Sequence, residues 1–268
     1  MNKLAIVTVC YNAAELIEKT IESVLSQTSQ DYEYYFFDGA SKDNTVEKIK
    51  ETAGRFPEAS ERIHITSEPD KGIYDAMNKA IDRVECEWML FLNAGDMLAD
   101  RDVLSKVIPE LKEDVDFVYG NTVYRDTVRE RDYRMDGGPI EGLRTDGMVF
   151  CHQSVFNRTE CLRKLHYSPD YRYAADYDCY LRALCSGAKF RQLQVYISIY
   201  LGGGASDENM AAVKREYCRS QKECSANEDP EKYYRKNMNR YRLVQTAYKV
   251  LPKAAVRWLK RNKEYRPD

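Results

Sequence analysis

The first third of the chain alternates short apolar runs with stretches of helical period. Residues 4–9, Leu4-Ala5-Ile6-Val7-Thr8-Val9, are apolar at nearly every position, which is how a strand covered on both faces reads. Residues 13–27 follow with Leu16, Ile17, Ile21, Val24 and Leu25 at helical spacing, and Asn12 is available as their N-cap. The alternation then repeats. It gives a strand over 32–37, a helix over 43–52, a short strand over 63–66 and a helix over 73–84 with Ile73, Met77, Ala80, Ile81 and Val84 on one face. A fully apolar strand over 87–92 closes the series. Such alternation with short connections predicts an α/β protein, its mostly parallel sheet wound with helices.

The strand over 87–92 runs directly into Asn93-Ala94-Gly95-Asp96. Open α/β sheets bind ligands beyond the carboxyl ends of their strands. An acid at that edge can hold a divalent cation, and through it a diphosphate. The competing reading makes Asp96 an N-cap for the next helix. Past Asp96 the pattern loosens: a helix over 102–111, an extended strand over 115–124, an apolar step at Val149-Phe150, a helix over 176–186 and a strand over 188–199. Residues 125–147 are polar, rich in Arg and Asp and interrupted by Gly137-Gly138-Pro139, so they read as an irregular, mobile loop. Gly202-Gly203-Gly204 breaks the chain, and a largely helical tail follows, with Pro252 separating two short helices.

Composition narrows the class. No apolar run approaches the roughly 18 residues that cross a bilayer. Residues 4–10 are too short for a signal-peptide core and are broken by Tyr11-Asn12, so the expected location is cytoplasmic. The eight cysteines include no CxxC pair and read as reduced, core-filling thiols rather than disulfides or zinc ligands. A net charge of −2 hides a split: residues 230–268 hold twelve Lys or Arg against three Asp or Glu, +9 on the tail and −11 on the rest. A basic tail on an acidic body points to an anionic surface.

Five blocks, in order, then carry a resemblance. They are Val7-Thr8-Val9-Cys10-Tyr11-Asn12, Phe37-Asp38-Gly39-Ala40-Ser41-Lys42-Asp43-Asn44-Thr45, the stretch over 67–96, Phe150-Cys151-His152-Gln153-Ser154-Val155-Phe156 and Tyr173-Ala174-Ala175-Asp176-Tyr177-Asp178. Over residues 3–205 the chain resembles the family 2 glycosyltransferases of bacterial polysaccharide and O-antigen synthesis, which have the GT-A fold. The resemblance implies a GT-A domain over 1–205, with a nucleotide-binding half over 1–98 and an acceptor-binding half over 99–205. The residues over 206–268 then form a helical extension, and the loop over 125–147 lies near the acceptor.

Glycosyl transfer needs a held nucleoside, a neutralised diphosphate and a base for the acceptor hydroxyl. The resemblance assigns nucleotide-sugar binding to Thr8, Asn12, Asp38, Asp70, Lys71, Gly72, Asn93 and His152, with Asp38 on the uracil or ribose. Asp38-Gly39 alone also reads as a simple turn, and Lys71-Gly72 as a solvated one. Asp96 matches the last acid of the family's metal-binding motif and would hold Mn²⁺ or Mg²⁺, while Asn93 and Gly95 stand where other members carry Asp. Asp176 matches the catalytic base, with Ala175 in place of the usual Glu. Its competing reading is an acid opening a helix. Asp178, two residues on, would point away. His152 could contact metal, diphosphate or acceptor.

The implied enzyme is inverting and metal-dependent. It would move a hexosyl or N-acetylhexosaminyl group from a nucleotide-sugar, a UDP-sugar first, to a glycan or polyprenyl-linked glycan. Two rivals stand beside it: a sugar nucleotidyltransferase, and a non-catalytic sugar-binding scaffold that kept the fold. Cys10-Tyr11-Asn12-Ala13-Ala14 occupies the place where the former shows a Gly-rich basic loop, and the missing acids favour the latter. Nothing in the body reads as a nucleic-acid surface. In the tail, Val244, Ala247, Tyr248, Leu251, Ala255, Trp258 and Leu259 alternate with Lys249, Lys253, Arg257, Lys260 and Arg261. That pattern fits a peripheral helix on the inner face of the membrane, or one packed on the domain.

Overall fold

The computed structural model describes residues 3–127 and 130–250, and these hold one mixed sheet of nine strands. Its first half is parallel. Strands β1 (Leu4–Cys10), β2 (Glu33–Asp38), β3 (Ile63–Ser67) and β4 (Trp88–Phe91) lie in the order β3-β2-β1-β4, with Val7 between Tyr35 and Phe91. Helices α1 (Ile17–Leu25), α2 (Thr45–Ala53) and α3 (Ile73–Arg83) connect them.

Strand geometry decides which side chain faces which layer. In β1, Ala5, Val7 and Val9 enter one core with Met77, Ala80 and Ile81 of α3, while Leu4 and Ile6 enter the opposite core with Ile17, Ile21 and Val24 of α1. In β4, Met89 and Phe91 join the first core, and Trp88 and Leu90 the second. All seven β1 residues and all four β4 residues are buried, as the unbroken apolar runs predict. The chain winds outward from β1 in both directions. The carboxyl ends of β1 and β4 therefore flank a crevice at the sheet's switch point.

The second half completes the sheet with strands of both directions. Beyond β4 come β8 (Val155–Arg158), antiparallel to it, and β6 (Phe117–Asp126), antiparallel to β8. Next are β9 (Phe190–Leu201), parallel to β6, and the two-residue β5 (Met97–Leu98), antiparallel to β9. Helices α4 (Val103–Val107), α5 (Gly142–Thr145), α6 (Thr159–Leu165), α7 (Ala175–Cys185), α8 (Ala205–Glu208), α9 (Met210–Glu223) and α10 (Pro230–Val250) pack around it or follow it.

Three expectations are corrected. Helix α1 begins at Ile17, not at residue 13, and Asn12 does not cap it: Asn12 sits at φ 49°, and its side chain accepts from the Lys42 N–H at 2.9 Å. Asn tolerates this left-handed conformation better than most residues, which releases the chain into a turn before the helix. The stretch over 125–147 is not irregular throughout, because β7 (Arg131–Met135) pairs antiparallel with β6 and α5 follows. Its order comes from cross-strand pairs that polar composition conceals: Tyr133 opposite Tyr124, and Asp132 taking a two-point hydrogen bond from Arg125 at 2.9 and 2.7 Å. β8 and α6 had no separate sequence signal. The expected helix break at Pro252, and the tail positions beyond 250, lie outside the described residues.

Candidate active site

The loops at the carboxyl edge of the parallel unit are laced together. The Asn12 N–H donates to Ser41 Oγ at 2.8 Å, and the Ala13 N–H to Thr45 Oγ1 at 2.8 Å. The Ser41 hydroxyl and N–H, the latter at 3.0 Å, both donate to Asp38, and the Ser67 hydroxyl adds a third bond at 2.6 Å. Asp38 is thus a buried carboxylate fixed at the end of β2. Ala40 beside it holds φ 58°, a conformation that costs a non-glycine residue about 1–2 kcal/mol. Backbone held that way at a ligand edge is a mark of a site whose shape is imposed by its surroundings.

Asp70 reaches the same place from the next loop. A Cβ on Gly39 would meet Asp70 Oδ2 and lie 3.3 Å from the ring of Tyr11, so the missing side chain leaves room for the Asp70 carboxylate. Asp70 Oδ1 accepts the Gly72 N–H at 2.8 Å, and the Lys71 N–H donates to Asp75 at 3.0 Å. Gly72, at φ 121°, forms the N-cap position of α3. Asn12, Asp38, Asp70, Lys71 and Gly72 therefore belong to adjoining loops on one edge. Thr8 does not join them. It is fully buried, and its hydroxyl donates to the Leu92 carbonyl at 2.7 Å and meets the Tyr34 hydroxyl at 3.0 Å. Thr8 holds the end of β4 and presents no side-chain surface to a nucleotide.

Beyond β4, Gly95 turns the chain at φ 101° and donates to Thr20 Oγ1 at 2.9 Å. Asp96 is then carried inward rather than onto a helix end. Its Oδ1 accepts the Leu201 N–H at 3.0 Å and its Oδ2 the Gln153 amide at 3.0 Å. Burial pushes its carboxyl up to about 6, against the opposing pull of those two bonds and of His152. A cation there would favour the charged form. Asn93 Oδ1, nearby in sequence, is buried without a hydrogen-bond partner. Among the described residues no group of three or more His, Cys, Asp or Glu gathers as a ready-made metal cage. What the chain offers is a carboxylate and an amide carbonyl, hard oxygen donors suited to an ion that takes its other ligands from phosphate and water.

His152 links this group to Asp176. Its Nε2 lies 3.0 Å from the Asn93 amide nitrogen and its Nδ1 3.3 Å from Asp176 Oδ2. With the amide at Nε2, Nδ1 is the ring nitrogen that faces the Asp176 carboxylate. Asp176 lies in the first turn of α7, where Oδ1 also accepts the Tyr177 N–H at 2.9 Å and the Tyr74 hydroxyl at 3.2 Å. Asp178 turns away, to Arg182 at 2.7 Å and Ser220 at 2.8 Å. The segment feeding α7 is clamped from α9: Glu216 accepts N–H bonds from Arg172, Tyr173 and Ala174 at 3.1, 2.9 and 2.8 Å.

Three residues escaped the sequence reading. Tyr11 is an exposed aromatic beside Gly39, and its place next to Asn12 could have marked it. Gln153, in the His152 block already singled out, meets the buried Asp96 through its amide. Tyr74 and Glu216 had no local signal, since their partners lie far along the chain.

Residues 5–172 match the family model described as glycosyl transferase family 2. A PGL/p-HBAD biosynthesis glycosyltransferase of Mycobacterium bovis is 32% identical over 197 residues, covering 70% of this chain and 73% of that protein. The structure of S. aureus TarS in complex with UDP superposes with a TM-score of 0.60 at 15% identity. That match covers 81% of this chain but 65% of the TarS chain, less than two thirds of it. The mannosyltransferase PcManGT of Pyrobaculum calidifontis, solved with GDP-Man and Mn²⁺, gives 0.64 at 15% identity over 96% of this chain and 78% of its own. At such identity the two structures speak for the fold alone, which is GT-A. The chain belongs to glycosyl transferase family 2 and is a glycosyltransferase.

Proposed function

We propose that this glycosyltransferase moves a sugar from a UDP-sugar to a hydroxyl of a glycan or lipid-linked glycan, with inversion and with help from a divalent metal. The observation that carries the reading is the order of groups along one sheet edge. Asp38 and Asp70 stand at one end, Asn93 and Asp96 lie beyond β4, and Asp176 is held by His152. UDP as the nucleotide is supported by the TarS complex and by an exposed Tyr11 ring near Asp70, whose Oδ2 can accept from a base N–H or ribose hydroxyl.

Asp96 and the free Asn93 carbonyl are the residues that would hold the metal, and PcManGT was solved with Mn²⁺. Bound there, such an ion would offset the charge developing on the departing diphosphate. The chain's own residues supply the rest. Asp38 and Asp70 fix the nucleoside end, and the Asp176 carboxylate takes the acceptor proton. The acceptor oxygen bonds to the anomeric carbon as that carbon's bond to the diphosphate breaks, the electron pair leaving with the nucleotide. One displacement from the face opposite the leaving group inverts the centre.

The reading extends to place. Among the described residues no helix is long and apolar enough to cross a membrane. Leu243 and Val250 are exposed on α10, in a tail carrying most of the basic excess. This supports a cytoplasmic enzyme whose tail rests on anionic lipid. Nucleotide release from a panel of UDP-, GDP- and dTDP-sugars with Mn²⁺ tests the reading. Turnover should favour UDP-sugars and vanish in Asp96→Ala; equal turnover by that variant in EDTA would contradict it.

A further inference from the structure

Asp176 does not hold its own orientation. Its Oδ1 is met by the Tyr177 N–H of its own helix and by the Tyr74 hydroxyl from α3, 102 residues earlier in the chain. The Tyr74 ring is fixed in turn. It lies 5.6 Å, centroid to centroid, from Tyr167, which is fully buried and 5.9 Å from Phe91 at the end of β4. Burial, then the Asp176 charge, pushes the Tyr74 phenol up, so at neutral pH it is a hydroxyl and can only donate to the carboxylate. Tyr74 also lies two residues past the Asp70-Lys71-Gly72 turn, which the Gly72-to-Asp70 and Lys71-to-Asp75 bonds hold.

We propose that Tyr74 is a positioning residue: its hydroxyl fixes the Asp176 carboxylate and ties the base to the turn that carries Asp70. The inference rests on the reading of Asp176 as the base. Two donors, the Tyr177 N–H and the Tyr74 hydroxyl, hold Oδ1, and His152 Nδ1 stands 3.3 Å from Oδ2. An acceptor hydroxyl then meets a carboxylate whose rotation is already restricted, and a restricted base needs no reorganisation as the proton moves. Without the Tyr74 hydroxyl, Asp176 can rotate about its side chain while the nucleotide edge stays as it was.

The test is a double-mutant cycle of Tyr74→Phe and Asp176→Asn. Nucleotide release is followed from a mixture of UDP-glucose, UDP-galactose and UDP-N-acetylglucosamine with Mn²⁺, water serving as acceptor, and UDP binding is followed by calorimetry. Tyr74→Phe keeps the ring packing, so the fold should persist. Turnover at saturating donor should fall about 10-fold with the UDP dissociation constant within about twofold, a split that loss of packing alone would not give. In the Asp176→Asn background the same change should cost less than about twofold. Wild-type turnover in Tyr74→Phe, or losses that multiply in the double variant, would overturn the inference. Wild-type turnover in Asp176→Asn would instead remove the base assignment beneath it.

Discussion

His152 places Nδ1 3.3 Å from Asp176 Oδ2, although one residue lies in a short turn before β8 and the other in the first turn of α7. The Asn93 amide at Nε2 fixes the ring from its other side. An amide, an imidazole and a carboxylate thus stand in one line from the end of β4 to Asp176. His152→Ala would remove the imidazole beside Asp176 and the partner of the Asn93 amide. Turnover should fall about 10- to 100-fold, with nucleotide affinity within about threefold. Steady-state kinetics beside calorimetry decides it; a loss of affinity at constant turnover would assign His152 to the donor instead.

Asp96 is a buried acid whose carboxyl is raised from 3.8 to about 6. The folded protein therefore binds more protons than the unfolded chain between about pH 4 and 6, and stability falls as pH rises through that window. Without metal the penalty is fully present above pH 6, on the order of 1–3 kcal/mol. Asp96→Asn carries no such charge, and Gln153 can turn its amide to suit the new one. The metal-free variant should melt above wild type at pH 8 and lose that advantage near pH 4, while Mn²⁺ should stabilise wild type alone. A variant less stable than wild type at pH 8 would contradict this.

Gly39 has no room for a side chain because Asp70 occupies the space. In Gly39→Ala the new methyl should push the Asp70 carboxylate aside, a movement the flexible side chain can make without unfolding the sheet. UDP affinity should weaken about 10-fold, with melting temperature lowered by a few degrees at most. Unchanged affinity would separate Asp70 from nucleotide binding.

The tail makes a prediction about place. Wild-type protein should float with vesicles containing anionic phosphatidylglycerol, and a chain ending at residue 241 should not, with the difference shrinking in high salt. Equal recovery of both chains would sink the membrane reading.

What could be read from sequence, and what could not, follows the range of the interactions. The parallel unit was legible because β1 and β4 are buried on both faces and α3 on one, leaving apolar periods that need no partner to be seen. Asp38, Asp96 and Asp176 could be nominated because each stands in a block whose local pattern survives. Thr8 was misplaced because a threonine near a strand end looks alike whether its hydroxyl faces ligand or, as here, the Leu92 carbonyl. β7 was hidden since its mostly polar residues carry no apolar period, although its partners Tyr124 and Arg125 stand on the neighbouring strand. Tyr74 and Glu216 were beyond reach for a different reason: each acts on a segment distant in the chain.

The central claim is that Asp176 is the base and Asp38 and Asp70 bind the donor, so chemistry and binding must separate. One preparation of Asp176→Asn, assayed for turnover of the best UDP-sugar and for UDP affinity with Mn²⁺, measures that directly. Turnover should drop about 10²- to 10⁴-fold while affinity stays within about twofold. Turnover within about threefold of wild type would contradict the assignment.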